Sequence, residues 1–141
     1  MPVKMIKTSS SEETQAAGAH FAASLCGNET IALFGDLGAG KTTFLKGLIS
    51  ALTGCSHSEI TSPTFNYLNI YEGKIPVYHF DLYRIKDAEQ FEGAGFSEYL
   101  KAEGVCCLEW AEKIESTLSA GTIRITMEHQ GQDNRLIKIE K

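Results

Sequence analysis

The chain has 141 residues, 43% hydrophobic and 22% charged, which suits a single domain over residues 1–141 and leaves any two halves too small for separate cores. Its formal net charge is −5, with Lys and Arg scattered rather than clustered, so stand-alone binding to a phosphate backbone is disfavoured. Three prolines and the lack of low-complexity tracts argue against disorder, and no apolar run approaches the ~20 residues that span a bilayer.

The opening residues, Met1-Pro2-Val3-Lys4-Met5-Ile6-Lys7, are basic but hold no apolar core or small-residue cleavage site, so no signal peptide is expected. Val3–Lys7 alternates and predicts a short strand. Ser10 with Glu13 has capping-box form and predicts a helix whose buried stripe is Ala17, Phe21 and Leu25, closed by Gly27-Asn28. Ile31-Ala32-Leu33-Phe34 is a continuous apolar run, as in a strand covered on both faces. A helical pattern follows through Leu45, Leu48, Ile49 and Leu52, with Gly54 as its stop. Thr61-Ser62-Pro63-Thr64 reads as an extended loop, since Pro63 keeps Ser62 out of helix. Phe65–Tyr71 and Ile75–Tyr83 read as strands around a Glu72-Gly73-Lys74 turn. Asp87–Phe91, Ser97–Lys101 and Ala111–Leu118 are predicted helices. Val105-Cys106-Cys107-Leu108 is a second buried strand, ending at Glu109-Trp110. Thr122–Glu128 and Leu136–Ile139 alternate around a turn at Gly131-Gln132-Asp133-Asn134. The order predicts an α/β sandwich with a mixed parallel and antiparallel sheet. Cys26, Cys55, Cys106 and Cys107 form no C-x-x-C pair, and His20, His57, His79 and His129 share no ligand spacing. Buried free thiols in a reducing cytoplasm are expected, without zinc.

Gly35-Asp36-Leu37-Gly38-Ala39-Gly40-Lys41-Thr42 fits G-x-x-x-x-G-K-[ST], with an apolar strand before it and a helical pattern after it. Glycines let such a loop turn with positive φ and aim its N–H groups inward. Those groups and the helix N-terminus bind phosphate oxygens. Lys41 would bridge the β- and γ-phosphates, Thr42 would coordinate Mg²⁺, and Thr43 would contact the α-phosphate. The expected ligand is ATP with Mg²⁺.

Such a site also needs an acid near the metal. Glu109 and Asp81 each close a predicted buried strand, where α/β sheets bind ligands. Glu109 is assigned to the metal, directly or through water. Asp81 then supports the metal or orients attacking water, and the pattern alone leaves the two open to exchange. Trp110 is either a core anchor or part of the site wall. The hydroxyls of Thr61–Thr64 suit either a strand lead-in or a loop that senses the γ-phosphate. Arg84 either stabilises transferred phosphoryl charge or pairs with Asp81 or Glu89.

Four blocks together resemble the TsaE (YjeE) family of small bacterial P-loop ATPases in tRNA threonylcarbamoyladenosine biosynthesis. They are Gly35–Thr43, Ser62-Pro63-Thr64-Phe65, His79-Phe80-Asp81-Leu82-Tyr83-Arg84 and Leu108-Glu109-Trp110-Ala111-Glu112. The resemblance implies a reduced three-layer P-loop NTPase fold, with ATP at Gly35–Thr43 and Mg²⁺ at Thr42 and Glu109. It implies functional roles for Lys41, Asp81 and Arg84 and a switch-like role for Ser62–Phe65. Thr8–Ser11 matches the family's adenine side loosely. It further implies cytoplasmic partners, TsaD and TsaB, through which tRNA is reached indirectly. Two other uses of the same loop stay open: a small P-loop kinase, and a nucleotide-gated interaction module without hydrolysis.

Overall fold

The computed structural model describes residues 3–36 and 38–141; Met1, Pro2 and Leu37 lie outside the described residues, and with them the first two positions read for a leader and one phosphate-loop position. Chain order is β1 (Val3–Thr8), α1 (Ser11–Ala22), β2 (Thr30–Phe34), α2 (Lys41–Thr53), β3 (Leu68–Tyr71), β4 (Val77–Asp81), α3 (Ala88–Gly93), β5 (Val105–Glu109), β6 (Ile123–His129) and β7 (Arg135–Glu140). Short 3₁₀ segments lie at His57–Glu59, Phe96–Leu100 and Ala111–Thr117.

Among the described residues the seven strands form one sheet in the order β1-β7-β6-β2-β5-β4-β3. The central four, β6, β2, β5 and β4, are parallel to one another. The β1–β7, β6–β7 and β3–β4 pairs are antiparallel. β5 is buried at every position, which explains its unbroken apolar run.

Alternate residues separate two cores. Ile31, Leu33, Val77, Cys107, Ile125 and Ile137 face α1 and α2. Ala32, Phe80, Cys106 and Leu108 face α3 and the Ala111–Thr117 segment with Phe91, Ala111 and Ile114. The second layer thins out toward the β1 edge, where Val3 and Met5 are exposed. Burial pushes the Cys106 and Cys107 thiols well above the usual range, so they are inert apolar filler. Cys26 is exposed, however, and Cys55 half-buried, so only two of the four cysteines match the buried expectation.

The two helices on the first face cross at backbone distance. A Cβ built on Gly18 would lie 2.0 Å from the Phe44 carbonyl oxygen, and one on Gly47 would lie 1.8 Å from that of Gln15. Glycine at both positions lets α2 sit tight against α1, which carries the phosphate-type loop into register with the strand ends.

Several local expectations shift. α1 ends at Ala22, before Leu25, and its buried positions are Thr14, Gly18, Phe21 and Ala22. Ser10 accepts from the Glu13 N–H at 3.1 Å as a cap, but Glu13 reaches the Ser9 N–H at 2.7 Å instead of closing the box on Ser10. β3 begins only at Leu68, because Thr64–Asn66 form a turn and Tyr67 has φ 69°. Ala111–Thr117 is 3₁₀, broken at Ile114. No helix among the described residues is long and apolar enough to cross a membrane.

Candidate functional site

Parallel strands β2, β5 and β4 deliver their C-terminal ends to one edge. Glu109 lies opposite Leu33 on one side and Asp81 on the other. Both acids occupy positions that face α2, and both are buried. The chain therefore places two carboxylates, from residues far apart in sequence, under the start of α2.

That start is open. Gly40, with φ 97°, turns the loop into the helix in the left-handed region that favours glycine. Among the described residues no side chain caps α2, and its first turn holds no acid. By contrast α1 is capped by Ser10 and α3 by Asp87, each with at least one acid in its first turn. The first N–H groups of α2 are thus left for an anion at the positive end of the helix.

Lys41 is only 5% exposed and folds back on its own loop. Its ammonium donates to the carbonyl oxygens of Gly35 and Asp36, and sits 4.1 Å from the centre of the Trp110 ring. Burial pushes this ammonium below the usual lysine range, while the nearby charges of Glu109, Glu112, Asp36 and Asp81 act the other way.

The hydroxyls and acids form one linked array. Thr42 Oγ1 donates to Glu109 at 3.0 Å to Oε1 and 3.2 Å to Oε2. Ser62 Oγ donates to Asp81 Oδ2 at 2.6 Å, and Thr64 Oγ1 donates to the same oxygen at 3.0 Å. The Tyr83 N–H donates to Asp81 Oδ1 at 3.0 Å. His79 Nε2 lies 2.6 Å from Glu109 Oε2. Thr42 spends its proton on a carboxylate, so its oxygen lone pairs stay available to a cation. Two carboxylates and a hydroxyl with no thiolate are hard oxygen donors, and they suit Mg²⁺ that also keeps phosphate and water oxygens.

A cleft of about 310 Å³ is lined by Gly38, Ala39, Gly40, Lys41, Thr42, Thr43, Ser62, Thr64, Asp81, Glu109, Trp110 and Arg135. Most of the predicted site residues therefore meet on one surface. Gly35 and Asp36 stand behind it as acceptors for Lys41, and Leu37 lies outside the described residues. Arg84 does not line the cleft. It pairs with neither Asp81 nor Glu89; its guanidinium lies 5.2 Å from the exposed Phe65 ring. Trp110, held at φ 60°, does both: it walls the cleft and packs against the second core.

Two contributors went unassigned in the sequence. Arg135, at the start of β7, donates to the Gly38 carbonyl at 3.2 Å and walls the cleft. A further recess of Ser11, Thr14, Gly40, Thr43, Asp133 and Arg135 adjoins it, on the side where Thr8–Ser11 leads into α1. His79 is the other. It opens the His79–Arg84 block of the resemblance and lies two residues before Asp81, on the same strand face, but neither signal gave it a role. An apolar hollow of similar volume between α1 and β1 lies away from these groups and holds no acid or hydroxyl array.

A family model described as "Threonylcarbamoyl adenosine biosynthesis protein TsaE" matches residues 8–137. The chain is similar to a tRNA threonylcarbamoyladenosine biosynthesis protein TsaE of Bacillus subtilis, 40% identical over 93% of this chain and 81% of that one. A protein of the same name from Rickettsia prowazekii is 38% identical over 94% of this chain and 91% of its own length. Among solved structures, a crystal structure of Bacillus subtilis YdiB superposes with a TM-score of 0.76 at 37% identity, covering 99% of this chain and 86% of the other.

Proposed function

The chain belongs to the TsaE family of threonylcarbamoyl adenosine biosynthesis proteins, and from that premise we propose that it is a cytoplasmic Mg²⁺-dependent ATPase of a single P-loop NTPase domain. It acts with TsaD and TsaB in tRNA threonylcarbamoyladenosine formation and meets tRNA through them. The observation that carries this reading is the uncapped start of α2 facing the Thr42–Glu109 and Asp81 carboxylate array.

On this reading the N–H groups of Gly38–Thr43 cradle the phosphates, and Lys41 leaves its loop carbonyls to bridge the β- and γ-phosphates. Thr42 and Glu109 hold Mg²⁺, whose charge offsets that of the phosphoryl oxygens. Asp81, with one oxygen already taken by Ser62 and Thr64, orients the attacking water or supports the metal. Because the same oxygen ties Asp81 to the Ser62–Thr64 loop, that loop is well placed to register the γ-phosphate. The small recess by Ser11 and Arg135 marks the side of the cleft, toward Thr8–Ser11, on which the nucleoside end would lie. Arg84, exposed beside Phe65, reaches phosphoryl charge only if that loop moves.

A kinase reading is less well supported. Of the arginines, Arg124 is committed to Glu115, Arg84 lies over Phe65, and Arg135 alone walls the cleft. A phosphoryl-clamping lid would need more. The purified protein is expected to release phosphate from ATP slowly alone and faster when TsaD and TsaB are added together. Partners that neither bind the protein nor change its turnover would contradict the proposal. Asp81→Asn that binds ATP, cannot hydrolyse it and still supports modification would favour a nucleotide-gated module.

A further inference from the structure

His79 stands in the middle of β4 at 0% exposure, between Val77 and Asp81 on the face turned to α2. It pairs in register with Cys107, one step deeper in the sheet than the Asp81–Glu109 pair. Tyr71 packs beside it, with ring centres 6.5 Å apart. Among the described residues, its Nδ1 is the buried side-chain polar atom that lacks a hydrogen-bond partner. Leucine or phenylalanine would fill the same space without stranding a polar atom, so packing alone disfavours histidine here. What the imidazole adds is a rigid N–H aimed at a carboxylate.

The polarity of that contact follows from the groups. An ionised carboxylate only accepts, so Nε2 carries the proton and donates to Glu109 Oε2 at 2.6 Å. The single Thr42 proton is shared between Oε1 at 3.0 Å and Oε2 at 3.2 Å, and the Ser62 proton is taken by Asp81 at 2.6 Å. His79 is therefore the donor that singles out Oε2, and Oε1 is left facing the Thr42 side. Resting on the reading that Thr42 and Glu109 hold Mg²⁺ with the nucleotide, we infer that His79 is a positioning residue for the metal. Its Nε2–H fixes the Glu109 carboxylate so that Oε1 and the Thr42 hydroxyl present themselves to the cation together.

Carboxylates that bind metals are themselves held by hydrogen bonds, and loss of such a partner weakens the metal about 10–100-fold. The test is a Mg²⁺ titration of the full chain with mant-ATP, read as the Mg²⁺ concentration that half-maximally tightens binding. Mant-ATP affinity without metal and the urea midpoint are measured alongside. His79→Leu is expected to fold and to bind mant-ATP without metal as the native protein does, yet to need about 10–100-fold more Mg²⁺. His79→Gln keeps an N–H at the same reach and is expected to restore most of that loss, which a purely space-filling role does not predict. An unchanged Mg²⁺ requirement in His79→Leu overturns the inference while leaving the metal reading intact. A native protein whose mant-ATP binding ignores Mg²⁺ overturns both. If the variants do not fold, two-bond ¹H–¹⁵N spectra of the native imidazole decide: a protonated Nε2 is expected, and a bare Nε2 overturns the assignment.

Discussion

The Lys41 ammonium rests on two loop carbonyls and the face of Trp110, all neutral partners. A triphosphate offers it charged ones, and hydrogen bonds between ions are roughly twice as strong as neutral ones. ATP is therefore expected to draw Lys41 off the ring and change the emission of Trp110, the only tryptophan in the chain. Lys41→Ala should lose that response and weaken mant-ATP binding at least about tenfold, as removal of a charged hydrogen-bonding partner implies. Tryptophan emission indifferent to saturating ATP would contradict this account of the loop. Asp81 makes the complementary case. Asp81→Asn keeps the shape and can still accept from Ser62 or Thr64, but it loses the charge. ATP binding should persist while phosphate release falls about 100-fold or more, the usual worth of a positioned acid or base. Equal losses of binding and turnover would mean that Asp81 serves the ground state instead.

At the scale of elements, the α1–α2 crossing and the short link from α1 to β2 bear most of the placement. Gly47→Ala puts a methyl group onto the Gln15 carbonyl with no flexible side chain to yield, and is expected to cost about 1–3 kcal/mol or more in urea denaturation. Gly93→Ala, with nothing within 4 Å, should be neutral or mildly stabilising. In the link, burial alone would raise the Glu29 carboxyl, but N–H groups of Cys26, Gly27 and Asn28 donate to it at 2.6, 2.9 and 3.1 Å and hold it below the usual carboxylate range. A carboxylate lowered in the folded state stabilises above its unfolded value and loses that contribution as pH falls through the folded one. Glu29→Gln should therefore cost about 1 kcal/mol at pH 7, after allowance for solvent screening, and converge on the native protein as acid takes the pH through the folded carboxyl's lowered value. A difference that stays constant through that fall in pH would contradict the carboxylate's role.

What was legible follows from how local each signal is. The β2–loop–α2 unit, the Gly54 stop and both hairpins declare themselves within a few residues. The Ser10 cap did too, although its Glu13 partner went to Ser9, since a cap and its return bond use separate donors. Pairings across the sheet are another matter. Glu109 and Asp81 were both visible as strand ends, but only strand order brings them side by side. His79 meets Glu109, and Arg135 meets Gly38, through topology that no spacing encodes.

For the whole molecule, a net charge of −5 with Lys and Arg scattered along the sequence accords with the proposal that tRNA is met through partners. Near the cleft, Phe65 is 78% exposed on the loop whose Ser62 and Thr64 hold Asp81, and the exposed Tyr83 ring packs 4.9 Å from Trp110. Surface aromatics thus share loops and neighbours with the groups proposed to handle the nucleotide, where the proposed partners could sense them. The most direct test is to deplete the protein in cells and quantify threonylcarbamoyladenosine in bulk tRNA by mass spectrometry. The modification is expected to fall on depletion and to return with the native chain, but not with Asp81→Asn. Threonylcarbamoyladenosine that stays unchanged on depletion would contradict the proposed function at its centre.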